Sequence, residues 1–361
     1  MEKLFYYVIT TFYYTIKILG WFLRRIVYGL WYLLFGILYN KETTIILMYH
    51  CIGKSSPYIY PGNIVSIENF KDQIRILKKL RITSLNEYVI KYKKQMIRHN
   101  YIITFDDYYR DNYKFAYPLL KRWQIPATFF ITTNCINEAN AKHWDKIWFI
   151  LNMSKKEEFE INGEINGKIN RIYKIKERKD RLITLGEFVN YTNSLNNQKD
   201  IDQIINDLSR ILNVNIKDYP SESVVLTLEE IRNMASEMEI GSHTESHRML
   251  SVLDYETIKE EISGSKKIIE KWISKTCTTF SYPFGGKSTF NIKSQDILRD
   301  QGFSCAVTTI EGINNSNTDP YNLRRFCVPD VSGYAFKYWL MEIFFYDNKK
   351  MKKIIKWIRK L

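Results

Sequence analysis

Hydrophobic and polar positions divide the chain into two regimes. From Leu4 to Tyr39 the sequence is almost continuously apolar and aromatic, with Lys17 and the pair Arg24 and Arg25 as its charged interruptions. After Asn40 short β-branched runs alternate with longer amphipathic stretches, the pattern of a parallel α/β sheet or barrel. The runs Thr44 to Tyr49, Ile102 to Phe105, Ala127 to Thr132, Glu239 to Ser242, Thr278 to Tyr282 and Ser304 to Thr308 predict buried strands. Between them, Ile67 to Leu80, Tyr113 to Trp123, Leu228 to Met238, Tyr255 to Ser274 and Ile292 to Gln301 predict helices. Leu151 to Ser221 breaks the alternation. It is rich in Asn, Lys and Glu, with helical patches and little strand character, and reads as a mostly helical insertion, either a lid or a surface ornament.

The two ends carry a different signal. Leu4 to Leu23 is just long enough to span a bilayer if Lys17 snorkels, whereas Ile26 to Tyr39 is too short to span alone. No small-residue cleavage site follows, which sets the segment apart from a signal peptide. Membrane-associated helices over residues 1–40 are the expectation, with a buried helical hairpin as the alternative. Asn348 to Leu361 places Met351, Ile354, Ile355, Ile358 and Leu361 at helical spacing among lysines and arginines, a basic amphipathic helix suited to an anionic membrane surface. The expected domains are therefore 1–40, a catalytic barrel over 41–335 with an insertion at about 151–221, and a terminal helix over 336–361.

Charge and cysteine usage sharpen this picture. The formal net charge is +14, from 53 Lys+Arg against 39 Asp+Glu, which calls for a polyanionic partner. No aromatic-interleaved basic stretch or Cys/His finger is present, so a membrane surface is expected and nucleic acid is not. Five cysteines scattered singly are unlike a disulfide framework and read as free thiols packed in the core. That tips the expected location toward the cytoplasmic face of a membrane.

Candidate chemistry begins at the end of the second predicted strand, where ITFDD runs into Asp106 and Asp107. A strand end followed by a turn can aim two adjacent carboxylates differently, one at a metal and one at a proton. At Gly241-Ser242-His243-Thr244-Glu245-Ser246-His247 two histidines four residues apart follow another strand. On one face of a helical turn both imidazoles would reach one ion. With Asp107 they make a two-histidine, one-carboxylate set that suits zinc or a similar divalent ion. That so many of these residues fall at strand C-terminal ends favours a closed or nearly closed barrel over an open sheet.

TFDD followed by HTESH resembles the first two motifs of the polysaccharide deacetylases, the chitooligosaccharide-deacetylase homology domain of the family-four carbohydrate esterases. The likeness runs from about Thr44 to Ser332 and includes ILMYH, IPATFFIT, FSYPFG and LRRFCV. It implies a distorted (β/α)-barrel, a divalent metal, usually zinc, and hydrolysis of N-acetyl groups on amino sugars. Carried over by position, it implies Asp106 as general base and Asp107, His243 and His247 as metal ligands. It also implies substrate contacts at Tyr282, Pro283 and Phe284, with a backbone N–H near Phe284 helping to hold the oxyanion.

Two departures from the family pattern stand out. Where the third motif has an Arg before Pro-Tyr, this chain has Ser281-Tyr282-Pro283-Phe284, a variant that resembles the biofilm poly-N-acetylglucosamine deacetylases. Arg324 or Arg325 could supply the missing guanidinium from the last strand, and Arg325 is preferred. No histidine follows His247, so the usual downstream general acid is absent, and His50 at the end of the first strand is the expected replacement. His99 and His143 have no comparable context, and Trp144 and Asp145 could line the cleft.

The expected function is thus metal-dependent N-deacetylation of an amino sugar, in a polysaccharide or a lipid-linked saccharide. The competing expectations are a non-catalytic carbohydrate-binding or assembly protein at the membrane and an amidohydrolase acting on a non-sugar amide.

Overall fold

The computed structural model describes residues 43–92, 99–137, 141–165, 168–195, 197–344 and 346. The expected membrane-seeking segments, 1–40 and 348–361, lie outside the described residues. Among the described residues no helix is long and apolar enough to cross a membrane.

Seven strands form one parallel sheet: β1 (Thr44–Tyr49), β2 (Asn100–Phe105), β3 (Thr128–Ile131), β4 (Glu239–Ser242), β5 (Thr279–Ser281), β6 (Cys305–Val307) and β7 (Phe326–Cys327). Their spatial order is β6-β5-β4-β3-β2-β1-β7. Every residue of β1, β2 and β3 is buried, which is why these strands read as continuous apolar runs and not as alternations. The sheet curls until Leu323, just ahead of β7, makes a single parallel bridge to Val307 of β6. The result is a distorted barrel whose seam is held by that bridge.

Helices α1 (Ile67–Leu77), α2 (Leu85–Tyr92), α3 (Tyr117–Arg122), α4 (His143–Met153), α5 (Arg178–Ser194), α6 (Gln198–Leu212), α7 (Leu228–Ala235), α8 (Tyr255–Ile273), α9 (Ile292–Asp300) and α10 (Gly333–Phe344) follow. Local sequence sets their starts. Ser66 caps α1 by accepting from Asn69 N–H, and Thr227 with Glu230 forms a capping box on α7. The stretch expected as one helix from Tyr113 opens instead as a wider π-turn over Asn112–Ala116 before tightening into α3. Helix α10 packs on α1 and buries Phe336, Leu340 and Ile343.

The insertion holds more strand than its composition suggested. Glu158–Ile165 and Lys168–Lys174 pair as an antiparallel hairpin, with Phe159 stacked on Tyr173 and Phe188 of α5 closing over them. An apolar cross-strand pair on one face is enough to fix the register of an otherwise polar hairpin. Helices α5 and α6 then pack on α4, so the insertion buttresses the barrel wall beside its mouth. All five cysteines are free thiols, four of them buried.

Candidate active site

The ends of β1, β2, β4 and β5 and the start of β7 deliver side chains to one point at the barrel mouth. Along β2, alternation puts Thr104 and Asp106 on the same side of the strand, and both meet Arg325. Asp106 N–H still bonds Tyr49 of β1, so the first carboxylate is fixed by the sheet ladder. The next residue leaves the ladder with φ 81°, which turns Asp107 toward the histidines. Backbone strain of this kind in a non-glycine residue persists only where surrounding contacts impose it.

Arg325 and Asp106 are both buried, Arg325 with 0% exposure. The guanidinium grips the carboxylate with both ends, Nη1 to Oδ1 at 2.7 Å and Nη2 to Oδ2 at 2.6 Å. Its remaining donors reach the Thr308 carbonyl at 2.8 Å, Thr104 Oγ1 at 3.1 Å and Ser281 Oγ at 3.0 Å. All five N–H groups of the fork are thus used. Ser281 completes the cage by donating its hydroxyl to Asp106 Oδ2 at 3.2 Å. Burial pushes the Asp106 carboxyl toward protonation, but the Arg325 charge and hydrogen bonds prevail and hold it below the usual carboxylate value.

Beside this pair, ligand atoms of Asp107, His243 and His247 all lie within 4.8 Å of one another, and all three residues are buried. His243 Nδ1 lies 2.7 Å from the Ser281 carbonyl, an acceptor that fixes the proton on Nδ1 and leaves the Nε2 lone pair facing Asp107. Burial drives the His247 imidazole down to about 4, so it is neutral at physiological pH, the form that binds metal. Burial opposes ionisation of Asp107 too, yet the imidazoles of His243 and His247 beside it hold its carboxyl well below the usual range. The donor set, the tautomer and the charge states fit a divalent ion.

The histidines do not share a helical turn, as the spacing suggested. Residues 243–249 form a loop in which Thr244 and His247 adopt φ of 64° and 59°. His247 N–H bonds the Thr244 hydroxyl at 2.9 Å, and Ser246 is tied to Glu261 of α8 through both its N–H and its hydroxyl. The imidazole centroids stand 4.6 Å apart and nearly perpendicular.

Residues 93–306 match the family model described as polysaccharide deacetylase. The chain belongs to the polysaccharide deacetylase family. Among curated relatives, a poly-β-1,6-N-acetyl-D-glucosamine N-deacetylase of Staphylococcus aureus is 24% identical over 306 residues, covering 81% of each chain. Its Staphylococcus epidermidis namesake is 33% identical over 117 residues, 28% of this chain and 40% of that one. The fold is similar to that of the Streptococcus pyogenes deacetylase PplD, solved in complex with acetate, with a TM-score of 0.54, 19% identity and coverage of 81% and 95% of the two chains. It is also similar to IcaB from Ammonifex degensii, at TM-score 0.51, 17% identity and coverage of 80% and 93%. The named relatives are N-deacetylases, which hydrolyse an amide.

Within this polysaccharide deacetylase the remaining expected site residues separate. His50 stands half-buried just past β1, its Nδ1 buried without a hydrogen-bond partner. Phe284, with φ 61°, brings its ring edge to His247 at 4.9 Å between centroids. Tyr282 is a correction. It is fully buried, stacked on Phe290 at 4.0 Å, and its hydroxyl donates to the Tyr321 carbonyl, so it faces the core and not the substrate. The cause is alternation, since Ser281 occupies the inward direction and its neighbour must point the other way. Pro283 is buried too, its carbonyl accepting from Gly285 N–H beside Phe284. The same alternation separates the arginines. Arg325 faces the barrel interior, while Arg324 lies against Gly312 outside.

Two residues at the site were left without a chemical role by the sequence. Ser281 could have been found from the pattern FSYPFG, where alternation from buried Phe280 and Tyr282 leaves it facing Asp106. Trp144, which opens α4, brings its indole to within 4.8 Å of the His247 ring and 6.3 Å of Phe284, measured between centroids. Its only trace in the sequence is an aromatic residue at a helix start.

Proposed function

We propose that this chain hydrolyses the N-acetyl groups of an amino-sugar polymer, with poly-N-acetylglucosamine as the first substrate to test. The observation that carries the reading is the buried Asp106–Arg325 pair set directly beside the Asp107, His243 and His247 cluster. A binding relic would gain nothing from a caged carboxylate base next to a metal-ready donor set. A divalent ion held by those three residues, zinc in our reading, would polarise the acyl oxygen and acidify a water molecule.

The protein groups supply the rest. Asp106, held ionised by Arg325, takes a proton from the attacking water as its oxygen bonds to the acyl carbon. The Phe284 N–H, which has no hydrogen-bond partner among the described residues, is available to the developing oxyanion. His50, with its free Nδ1, gives a proton to the amine nitrogen as the C–N bond breaks, releasing acetate. Trp144 and Phe284 wall the pocket and limit access of bulk water.

Purified full-length protein should hold one divalent ion per chain and release acetate from N-acetylated glucosamine oligomers. His243→Ala should lose both. Metal without acetate release would redirect the search to another acyl group or amide, and wild-type protein devoid of metal affinity would sink the hydrolase reading. We also place the protein at a membrane surface, on the strength of the apolar stretch Leu4 to Tyr39 and the basic segment Asn348 to Leu361. Deleting residues 1–40 should move it from the membrane fraction to the supernatant, and unchanged sedimentation would contradict that placement.

A further inference from the structure

Outside the caged base and the metal cluster, a further buried polar hub is centred on Asp145. Its carboxylate is fully buried in the first turn of α4 and collects donors from several parts of the chain. Tyr60 N–H, from the segment that follows β1 and His50, bonds its Oδ1. The hydroxyls of Tyr108 and Tyr109, which follow Asp107, bond it as well, Tyr109 at 3.2 Å from Oδ2. Tyr108 in turn accepts from Lys142 N–H at 3.0 Å, and Tyr109 accepts from the Trp144 indole N–H at 3.1 Å. One chain of hydrogen bonds therefore runs from Trp144 through Tyr109 to Asp145, and such chains strengthen their members when buried.

We infer that Asp145 is a positioning residue, which fastens the loops after β1 and β2 to the start of α4 and, through Tyr109, holds the Trp144 indole against His247. Trp144 meets the His247 ring edge-on at 4.8 Å, while His247 Nδ1 has no hydrogen-bond partner of its own. Packing therefore substitutes for the hydrogen bond that usually orients a metal-binding imidazole. The insertion acquires a role from the same arrangement. Helices α5 and α6 cover α4, and Tyr219 bonds the Tyr58 carbonyl beside the bond that Trp148 of α4 makes to Ser56, so the insertion stiffens the helix that carries Trp144 and the loop that Asp145 gathers.

This inference rests on the metal reading above, and affinity for Zn²⁺ itself is the readout. Full-length protein in detergent would be titrated with Zn²⁺ against a chromophoric chelator, with thermal unfolding checked in parallel. Asp145→Leu should weaken Zn²⁺ binding about tenfold, within the range typical of residues that orient a metal ligand. Trp144→Phe should weaken it by a similar factor, and the double variant should be no worse than the poorer single, because both act through one contact. Asp145→Asn should restore most of the affinity, since its amide still accepts from Tyr60 N–H and donates to a tyrosine oxygen. A folded Asp145→Leu protein with wild-type affinity would overturn the inference, as would full additivity with Trp144→Phe. Should Asp145→Leu fail to fold, Tyr109→Phe deletes only the linking hydroxyl: a several-fold loss supports the relay, and wild-type affinity refutes it. Wild-type protein that binds no Zn²⁺ would sink the proposed function and this inference together, a result distinct from unaffected variants of a zinc-binding wild type.

Discussion

Arg325→Leu should destabilise the protein by about 3–5 kcal/mol at neutral pH, the cost of leaving one partner of a buried ion pair uncompensated. Asp106 would then face the barrel interior without its counter-charge, with the Ser281 hydroxyl still donating to it. The pH dependence gives the prediction a second, independent part. In the wild type the folded-state value of Asp106 lies below its ordinary 3.8, so its contribution is fully present above that value and lost as pH falls through the lower folded one. In the variant burial acts unopposed and raises the folded-state value instead. The penalty is then largest at neutral pH and shrinks on mild acidification, as the buried carboxyl takes up a proton. Urea unfolding of both proteins at neutral and mildly acidic pH would measure this. A gap that stays constant or widens in acid would mean that Arg325 stabilises the fold by packing and not by its charge.

Asp106→Asn should lower kcat by roughly a hundred- to ten-thousand-fold, the span that loss of a positioned base produces. The amide keeps the shape of the side chain, and Arg325 retains its bonds to Thr308, Thr104 and Ser281. The guanidinium stays buried without its counter-charge, so stability should fall as it does in Arg325→Leu, whereas Zn²⁺ affinity of the folded protein should change far less than turnover because Asp106 lies outside the Asp107, His243 and His247 cluster. Acetate release at saturating metal, beside a chelator titration, separates the two effects. Turnover within about tenfold of wild type would mean that another group accepts the proton.

The two residues in these predictions illustrate how unevenly the site could be read in advance. Asp106 stood out only in company, because a carboxylate pair following a buried strand gained support from two histidines four residues apart after another strand. Arg325 was harder, since Arg324 and Arg325 are adjacent and either could be assigned inward until the register of β7 is known. That strand is two residues long and carries no periodicity of its own. The hairpin in the insertion was missed for a related reason: its alternation is masked by Asn, Lys and Glu on the solvent side, and its apolar partner, Phe188, lies on a later helix. Tyr282 was misplaced because a motif names neighbours, whereas a strand sends neighbours to opposite faces.

The sequence alone determined the strand–helix alternation, and with it the parallel barrel, because strands buried on both faces run largely apolar and Thr44–Tyr49 can be bounded by inspection. It also singled out Asp106, Asp107, His243 and His247, which the fold brings to one place, since carboxylates and histidines at buried strand ends are costly unless paired. Only the tertiary structure decided how they meet. The histidines converge through a loop with left-handed residues at Thr244 and His247, Arg325 replaces from a distant strand the guanidinium that Ser281 lacks, and Asp145 holds Trp144 against the cluster. The physical reason is common to all three. Local propensity acts over a few residues, whereas the partners of Asp106 and Asp145 are separated from them by up to 219 positions, and only closure of the barrel brings them within a hydrogen bond.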